Sequence, residues 1–262
     1  MNLNVINLAS DKAIYFASDF HLGSPNFEES RTREHKIIAW LEAIKPDAQV
    51  VMLVGDLFDF WYEYKKVVPK GFVRFLGKLA ELRDLGITIY VFNGNHDLWM
   101  KDYFETELSI PVFKQPTTFE ITQNGQSQQI LVGHGDGLGP GDYGYKFLKK
   151  IFTNPFCIWA FGALHPDLGI WLATRWSDSR KTNDNQERTK VFYGNDKELI
   201  YQYCVATEST QHHDYYIFGH RHLEMTLPLS QNSQYINLGE WITGANYVKY
   251  QNKDAKLLKF AF

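Results

Sequence analysis

The stretch QVVMLVGD, residues 49–56, is a run of apolar, strand-forming residues that ends directly in a glycine and a carboxylate. Four more apolar runs, at 13–17, 87–92, 129–132 and 215–218, lead in the same way into a short motif with Asp, Asn or His side chains. Nearly continuous apolar runs are typical of strands that are covered on both faces. The motifs at the ends of the five runs are Asp19-Phe20-His21, Gly55-Asp56, Gly94-Asn95-His96-Asp97, Gly133-His134-Gly135-Asp136 and Gly219-His220-Arg221-His222. Because ligand sites in open α/β sheets lie outside the carboxyl ends of the strands, we expect the motifs to meet at one rim.

Helical and hairpin patterns lie between and after these strands. Residues 32–45 and 71–85 have helical periodicity and end at Pro46 and Gly86, so the first half is predicted as β-α-β-α-β. Hairpin or strand patterns follow at 116–132, which contains Asn124-Gly125, at 225–229 with 234–238, at 247–250 and at 256–260. Helices early and hairpins late indicate an α/β (α+β) fold with two mixed sheets face to face and helices outside.

Composition narrows the class of protein. The 262 residues are enough for one large or two small domains, and 44% hydrophobic residues are ample for a core.

Neither Cys157 nor Cys204 lies in a CxxC pattern, so we expect no disulfide framework and no thiolate zinc site, which fits a reducing cytoplasm. Residues 1–10 lack the cationic start and long apolar run of a signal peptide, so none is expected. The net charge of −3 is near neutral.

Residues 146–176 are unusually apolar for a connection between strands. Lysines and the prolines Pro155 and Pro166 divide them, so the stretch lacks the roughly 20 consecutive apolar residues of a membrane-spanning helix. We predict helices broken at the two prolines. The wider segment 146–190 holds eight Lys and Arg residues against four Asp and Glu residues. Two interpretations stay open. The segment is either a packed helical hairpin whose charged residues are solvated, or a surface that binds an apolar chain and an anionic ligand.

The residue types in the motifs indicate metal chemistry. Asp and His side chains with one Asn amide favour a first-row divalent metal such as Mn, Fe or Zn, whereas oxygen ligands alone favour Mg or Ca. Two such cations about 3.5 to 4 Å apart activate water and stabilise in-line displacement at phosphorus, so we predict hydrolysis of a phosphoester or phosphoanhydride. Five of the nine histidines lie in the motifs. For the other four, His35, His165, His212 and His213, we expect surface or packing roles.

The motifs D-x-H, GD, GNHD, GH and GHxH, in this order from about residue 16 to 222, resemble those of the calcineurin-like metallophosphoesterases. The resemblance implies a four-layer αββα sandwich and two divalent metal ions, with manganese expected before iron or zinc. It places one ion on Asp19, His21, Asp56 and His222 and the second ion on Asp56, Asn95, His134 and His220. Asp56 bridges the two ions. His96 then stabilises the phosphoryl group or protonates the leaving oxygen, and Asp97 fixes the orientation of its ring.

A group within this superfamily, the UDP-2,3-diacylglucosamine hydrolases of bacterial lipid A biosynthesis, is similar in finer detail. The matching sequences are SDFHLG at 18–23, GDLFDFW at 55–61, HGDGL at 134–138, DYGY at 142–145 and LGEW at 238–241. The resemblance implies one domain over residues 1–262 with an acyl-chain-binding helical lid inserted at about 142–190. It also implies that water attacks the UMP-side phosphorus of the diphosphate, which releases UMP and 2,3-diacylglucosamine 1-phosphate. The implied substrate contacts are Asp142, Trp159, Phe161, Arg175, Ser179, Arg180 and Lys181.

The resemblance also implies a substrate, a membrane contact and a location in the cell. The substrate is a lipid-linked sugar nucleotide, and such a substrate requires contact with a membrane surface. We therefore expect a cytoplasmic protein that associates peripherally with the inner face of the cytoplasmic membrane. The overall acidity and the lack of a long basic stripe argue against nucleic acid as a partner. The sequence indicates no obligate protein partner.

One residue departs from the narrower group. His96 stands where the lipid A enzymes usually have arginine, although histidine is the commoner residue in the wider superfamily. A phosphoesterase that acts on nucleotides, phosphomonoesters, phosphodiesters or phosphoproteins is therefore the first alternative. The second alternative is a non-catalytic scaffold of the same fold, although such proteins lose metal ligands or the catalytic histidine and this chain has the complete set.

Overall fold

Two six-stranded sheets face each other at the centre of the protein. The computed structural model describes the backbone of residues 4–180 and 191–262 and the side chains of residues 4–175 and 191–262. Aliphatic and aromatic side chains from both sheets meet between them in one buried layer. Members of this layer include Phe16, Met52, Ile130, Ile217 and Val248. The apolar runs of the sequence therefore form the core, as strands covered on both faces should.

The first sheet contains four parallel strands and an antiparallel hairpin at one edge. Its strand order is β12 (Asp254–Lys259), β11 (Asn246–Gln251), β2 (Ala13–Ala17), β3 (Ala48–Val54), β4 (Thr88–Phe92) and β5 (Val112–Phe113). The predicted strands at 13–17, 49–54 and 87–92 agree with the observed ends to within one residue. Since β2, β3 and β4 are parallel, the motifs that follow them emerge at the same rim.

The second sheet mixes parallel and antiparallel pairs. Its strand order is β1 (Asn4–Asn7), β6 (Thr117–Gln123), β7 (Gln126–Gly133), β8 (Tyr215–Phe218), β10 (Ser233–Leu238) and β9 (Glu224–Ser230). The predicted hairpin of β6 and β7 turns at Asn124 and Gly125, whose φ values of 55° and 74° suit a tight hairpin turn. Because β7 and β8 are parallel, their motifs also share one rim.

Helices cover the outer face of each sheet. The seven helices described are α1 (Phe27–Ile44), α2 (Val73–Asp84), α3 (Tyr103–Leu108), α4 (Tyr143–Phe152), α5 (Pro155–Gly162), α6 (Pro166–Arg180) and α7 (Leu199–Glu208). Trp40 of α1 and Leu79 of α2 pack on the outer face of the first sheet. Ile200 and Cys204 of α7 pack on the outer face of the second sheet. The predicted αββα arrangement is confirmed.

Several elements differ from the sequence expectation. Helix α1 begins at Phe27 rather than at residue 32, because its first turn is polar and the Asn26 side chain accepts a hydrogen bond from Glu29 N at 3.0 Å as its cap. A polar first turn has no apolar periodicity to detect. The sequence pattern also fails to predict β1, β5, α3 and α7, since the first three are short and α7 buries only Ile200 and Cys204.

The apolar stretch after the fourth motif forms α4, α5 and α6, with breaks directly before Pro155 and Pro166 as predicted. We call these three helices the insertion. Among the described residues, no single helix is long and apolar enough to cross a membrane. The helices Pro155–Gly162 and Pro166–Arg175 meet the length and hydropathy criteria only as a pair, which is bent by 119°.

Helix α4 turns its polar side toward the protein and its apolar side outward. Tyr145 and Lys149 bond to the Asp136 carboxylate at 2.5 and 2.6 Å. Tyr143 and Phe147 on the opposite side are 80% and 64% exposed. A surface helix of a globular protein usually shows the reverse pattern. The outer side of α4 is therefore an apolar surface that the rest of the described chain leaves uncovered.

Two leucines, Leu82 in the last turn of α2 and Leu85 directly after the helix, test the packing of the first sheet. Leu82 is fully buried under the sheet, whereas Leu85, three residues later, is 60% exposed. We expect Leu82→Ala to lower the free energy of unfolding by about 2–5 kcal/mol, because it removes buried apolar contacts and leaves a cavity. The matched control Leu85→Ala should change it by less than about 0.5 kcal/mol. Urea denaturation followed by circular dichroism measures both, and equal effects would contradict the packing described.

Candidate metal centre

The loops after β2, β3 and β8 bring four predicted ligands together. Asp19, His21, Asp56 and His222 form a group whose ligand atoms lie within 4.8 Å of one another. His222 Nε2 is 3.1 Å from Asp19 Oδ1, and His21 Nε2 is 3.7 Å from both Asp19 Oδ1 and Asp56 Oδ2. The two carboxylates and His21 are buried, and His222 is partly exposed. This first ligand group has one open side.

The loops after β4, β7 and β8 complete a second ligand group around the same carboxylate. Asp56, His134 and His220 offer atoms within 4.8 Å of one another. His134 Nε2 is 3.3 Å from Asp56 Oδ2 and 3.3 Å from Asn95 Oδ1. The structure therefore brings all seven predicted metal ligands to one rim, and Asp56 belongs to both groups.

The donor atoms fit a divalent metal ion. Asp19 Oδ1 is buried, and among the described residues no hydrogen-bond donor of suitable geometry reaches it. Burying a carboxylate oxygen without compensation is costly, so this atom indicates a missing positive charge. The Nε2 atoms of His21 and His222 also face each other at 3.1 Å. Carboxylate, imidazole and amide donors in this mixture suit a first-row divalent ion.

The carboxylates of Asp19 and Asp56 favour positive charge on His21 and His134 beside them. Burial opposes protonation of the imidazoles, yet the Asp56 carboxylate raises the pKa of His134 well above its usual value. Against the same burial effect, the nearby carboxylates of Asp19 and Asp59 raise the pKa of His21 to about 10. Although burial opposes their ionisation, the histidines hold the pKa values of Asp19 and Asp56 below the usual range. A site that stabilises imidazolium in this way also stabilises a divalent cation.

The backbone at the ligands is strained. Five ligands have left-handed φ values, namely 57° at Asp19, 44° at His21, 51° at Asp56, 68° at His220 and 53° at His222. Such conformations cost non-glycine residues on the order of 1–3 kcal/mol each and persist where the surrounding structure determines them. The sharp turns after the strands direct side chains from separate strands toward common points, which accounts for the strain.

Two motif glycines allow the ligand loops to approach closely. A Cβ atom on Gly94 would collide with the Asp56 carboxylate, and one on Gly219 would lie 2.6 Å from Asp19 Oδ2. Only a residue without a side chain fits at such distances. The glycines are therefore part of the packing of the site rather than simple turn residues.

Hydrogen bonds to backbone carbonyls orient two of the histidine rings. His134 Nδ1 is 2.9 Å from Val54 O, and His96 Nδ1 is 2.9 Å from Asp59 O. Because a carbonyl oxygen only accepts, the Nδ1 atoms carry the protons. The Nε2 atom of His134 is then free to face Asp56, and the Nε2 atom of His96 is free for a phosphoryl group.

The prediction that Asp97 orients the His96 ring is wrong. The Asp97 carboxylate accepts hydrogen bonds from Gly94 N at 2.6 Å and from Leu57 N at 2.8 Å. Asp97 therefore ties the loop after β4 to the loop after β3, and the Asp59 carbonyl holds the His96 ring.

Asp59 is absent from the predicted site. Its spacing of three residues from Asp56 within DLFDF is the signal that points to it, since both lie on one tight loop.

The insertion packs against the loops that carry the ligands. Trp99 Nε1 donates a hydrogen bond to Phe152 O at 2.8 Å, and the Tyr62 hydroxyl donates one to Ile158 O at 2.6 Å. The Phe161 ring lies 4.7 Å from the Trp99 ring and 4.9 Å from the Tyr62 ring between centroids. The insertion therefore lies directly beside the loops after β3 and β4.

The predicted substrate contacts occupy different environments. Phe161 is turned toward the loops, whereas Trp159 is 68% exposed. Asp142 is exposed directly before α4, and the Arg175 guanidinium lies 5.7 Å from the Trp171 ring centroid on the exposed side of α6. The side chains of Ser179 and Arg180, and all of Lys181, lie outside the described residues. Contact of any of these seven residues with a substrate stays a prediction.

The four histidines outside the motifs lie away from the two ligand groups. His35, His165 and His212 are exposed. His213 is buried, and its ring is 2.9 Å from Thr118 Oγ1 and 3.1 Å from the Tyr216 hydroxyl. The expected surface and packing roles are confirmed for these residues.

Sequence comparisons relate this chain to a known family and to named proteins. A family model described as calcineurin-like phosphoesterase matches residues 12–224. A Porphyromonas gingivalis protein named UDP-2,3-diacylglucosamine hydrolase is 36% identical, over 89% of this chain and 92% of that protein. A Proteus mirabilis protein of the same name is 25% identical, over 94% of this chain and 98% of that protein. An NMR structure of a Thermotoga maritima protein covers 96% of this chain and 99% of its own, with 13% identity and a TM-score of 0.42.

Asp56 gives the most direct test of the metal centre. We expect Asp56→Asn to lower the manganese content of the purified protein at least twofold, because the exchange removes the negative charge that both ligand groups share. Metal analysis after dialysis against manganese measures the content. Asp47→Asn is the matched control, since Asp47 bonds to Tyr15 and Lys249 away from the rim. Wild-type manganese content in folded Asp56→Asn would contradict the assignment.

Proposed function

The chain belongs to the calcineurin-like phosphoesterase family, and from this premise we propose that it hydrolyses the diphosphate of UDP-2,3-diacylglucosamine. The products are UMP and 2,3-diacylglucosamine 1-phosphate, an intermediate of lipid A biosynthesis. One observation carries the proposal, namely that a complete set of metal ligands lies beside an insertion with exposed aromatic side chains. The relative from Porphyromonas gingivalis that bears this activity in its name supports it.

Seven side chains are suited to hold two divalent ions, for which manganese is the first candidate. The first ligand group is Asp19, His21, Asp56 and His222, and the second is Asp56, Asn95, His134 and His220. When bound, such a pair of ions lowers the pKa of water, polarises a phosphoryl oxygen and compensates the charge that develops in an in-line displacement. The protein supplies the shared carboxylate that sets the two ligand groups side by side.

His96 is the residue suited to act on the substrate phosphate. Burial lowers the pKa of His96, so its ring is neutral near pH 7 in the protein alone. A bound diphosphate adds negative charge and favours the imidazolium form. Since Nδ1–H donates to the Asp59 carbonyl, the proton at Nε2 is the one available to the leaving phosphate oxygen. The Asp59 contact also prevents the ring from turning away.

The insertion provides the apolar surface that a diacylated substrate needs. Phe156, Trp159 and Trp171 are 70%, 68% and 55% exposed. Burial of an acyl chain contributes about 0.8 kcal/mol per CH₂, so even partial cover of these rings accounts for substantial affinity. The alternative role of the insertion as a purely packed hairpin explains Phe161 but not these exposed rings.

The outer side of α4 supports a peripheral position on the inner face of the cytoplasmic membrane. The exposed side of α4 carries Tyr143, Phe147 and Ile151 in a stripe with a spacing of four residues, and Lys150 beside it is also exposed. An apolar stripe flanked by cations is suited to lie at an anionic lipid surface. A lipid substrate would then enter the site without leaving the membrane interface.

His96 favours a second candidate, a phosphoesterase with a smaller soluble substrate. Histidine at this position suits the hydrolysis of many phosphoesters and does not require a sugar nucleotide. Comparison of turnover on UDP-2,3-diacylglucosamine and on a simple aryl phosphate separates the two activities. Turnover of the aryl phosphate at or above that of the sugar nucleotide would favour the second candidate.

Manganese-loaded protein is expected to release UMP from UDP-2,3-diacylglucosamine, and His96→Ala is expected to slow that release about 100-fold or more. The loss follows because a positioned stabiliser of transition-state charge typically contributes at least that factor. Chromatography of UMP measures the rate, and metal analysis should show wild-type manganese in the variant. His212→Ala is the matched control, since His212 is exposed and bonds only to Glu208 among the described contacts. Undiminished turnover in His96→Ala would remove His96 from the mechanism.

The double variant Trp159→Ser, Trp171→Ser tests the apolar surface. We expect KM for the diacylated substrate to rise several-fold with little change for a soluble phosphodiester, because only the acylated substrate buries these rings. The same variant should float less with anionic vesicles than the wild type does. Phe161→Ser is the contrasting variant. It should lower turnover of both substrates, because Phe161 packs against the loops beside the ligands. Equal losses on both substrates in the double variant would contradict a lipid-specific role.

A further inference from the structure

An ion pair connects the segment before α7 to the last metal motif. Arg221 lies between His220 and His222. Its Nε is 2.9 Å from Glu198 Oε2, and its Nη2 is 3.1 Å from Glu198 Oε1. The side chains are 18% and 4% exposed for Arg221 and Glu198. The guanidinium and the carboxylate therefore make two parallel, charge-assisted hydrogen bonds that are largely shielded from water.

The Arg221 guanidinium also bonds to a backbone carbonyl oxygen seven residues before Glu198. Arg221 Nη2 donates a hydrogen bond to Val191 O at 2.5 Å. Glu198 is in addition the residue directly before α7, and its carbonyl accepts a hydrogen bond from Gln202 N at 3.0 Å. One arginine thus fixes both ends of residues 191–198 against the loop after β8. Lysine, with a single point charge, cannot make the parallel pair and reach Val191 as well.

The start of α7 also lies on the loop after β7. A Cβ atom on Gly135 would lie 2.6 Å from Ile200 Cδ1, and one on Gly139 would collide with the backbone of Leu199. Residues 191–200 therefore bridge the loop after β7 and the loop after β8. These two loops supply predicted ligands to the same ligand group.

We propose that Glu198 and Arg221 are positioning residues, which hold His220 and His222 in the geometry that binds metal. Both histidines have left-handed φ values, 68° and 53°, and a loop keeps such values only where other contacts determine them. Arg221 is the residue between the two histidines, and its side chain is anchored by the buried carboxylate of Glu198. Neither residue is a predicted ligand, so both act through the histidines. The inference rests on the metal centre of the proposed function and is independent of which phosphoester is cleaved.

Manganese affinity tests this role without any substrate. Glu198→Gln keeps the shape of the side chain and removes its charge, and we expect the variant to bind manganese about tenfold or more weakly, as is typical when an outer partner of a metal ligand is lost. Isothermal titration calorimetry on metal-free protein measures the affinity. Arg221→Lys keeps the charge but not the planar fork and should weaken binding as well. The matched control Asp47→Asn breaks the 2.7 Å ion pair between Asp47 and Lys249 and should keep wild-type affinity.

Electron paramagnetic resonance of the manganese-loaded proteins gives a second measurement. We expect an exchange-coupled signal from the wild type and a larger fraction of uncoupled signal from Glu198→Gln at equal manganese. Circular dichroism of the metal-free proteins shows which variants are folded. If Glu198→Gln does not fold, the manganese affinity of Arg221→Lys tests the positioning role instead. A folded variant with wild-type affinity and wild-type coupling would overturn the positioning role. A wild-type protein that binds no manganese pair would overturn the proposed function instead.

Discussion

The carboxylate of Asp56 is the feature on which the rest of the site depends, because both ligand groups include it. It is 1% exposed at the end of β3, with Oδ1 accepting a hydrogen bond from His96 N at 2.8 Å and Oδ2 lying 3.3 Å from His134 Nε2. A buried negative charge is stable only with positive charge or donors around it. The loops after β2, β4, β7 and β8 therefore surround the Asp56 carboxylate at the end of β3. A divalent cation would supply the positive charge that this carboxylate needs.

Charged side chains that bond to backbone atoms keep these loops in place. Arg33 donates hydrogen bonds to the carbonyl oxygens of His21 and Ser24, and Asp97 accepts hydrogen bonds from the loops after β3 and β4. Glu63 Oε2 accepts hydrogen bonds from three successive backbone N–H groups at the start of α3. Loops lack the regular hydrogen bonds of helices and strands, so such contacts are what allow residues on loops to keep a defined geometry. The ion pair of Glu198 and Arg221 belongs to the same class of support.

The insertion places an apolar surface at a defined position relative to the ligands. Its helix α4 bonds through Tyr145 and Lys149 to Asp136, which lies two residues after His134. Trp99 and Tyr62 hold the carbonyl oxygens of α4 and α5 from the loops after β4 and β3. Since the polar side of α4 is used in these contacts, its apolar side has to face outward. The exposed apolar surface of the insertion and the candidate metal centre are thereby built on the same loops.

The sequence by itself determined the five strands that lead into the motifs, the candidate metal ligands at their ends and the breaks of the insertion at Pro155 and Pro166, because apolar runs and prolines act on the local chain. Only the tertiary structure decided which aspartate supports the His96 ring, and that it does so through its backbone carbonyl. Asp97 is its neighbour in the sequence, yet the turn directs that carboxylate to Gly94 N and Leu57 N, while the carbonyl of Asp59 from another loop reaches the ring. The orientation of α4 was decided in the same way, since periodicity defines two faces of a helix but not which face meets the protein. Both outcomes depend on contacts between residues far apart in the chain, and local sequence patterns carry no information about such contacts.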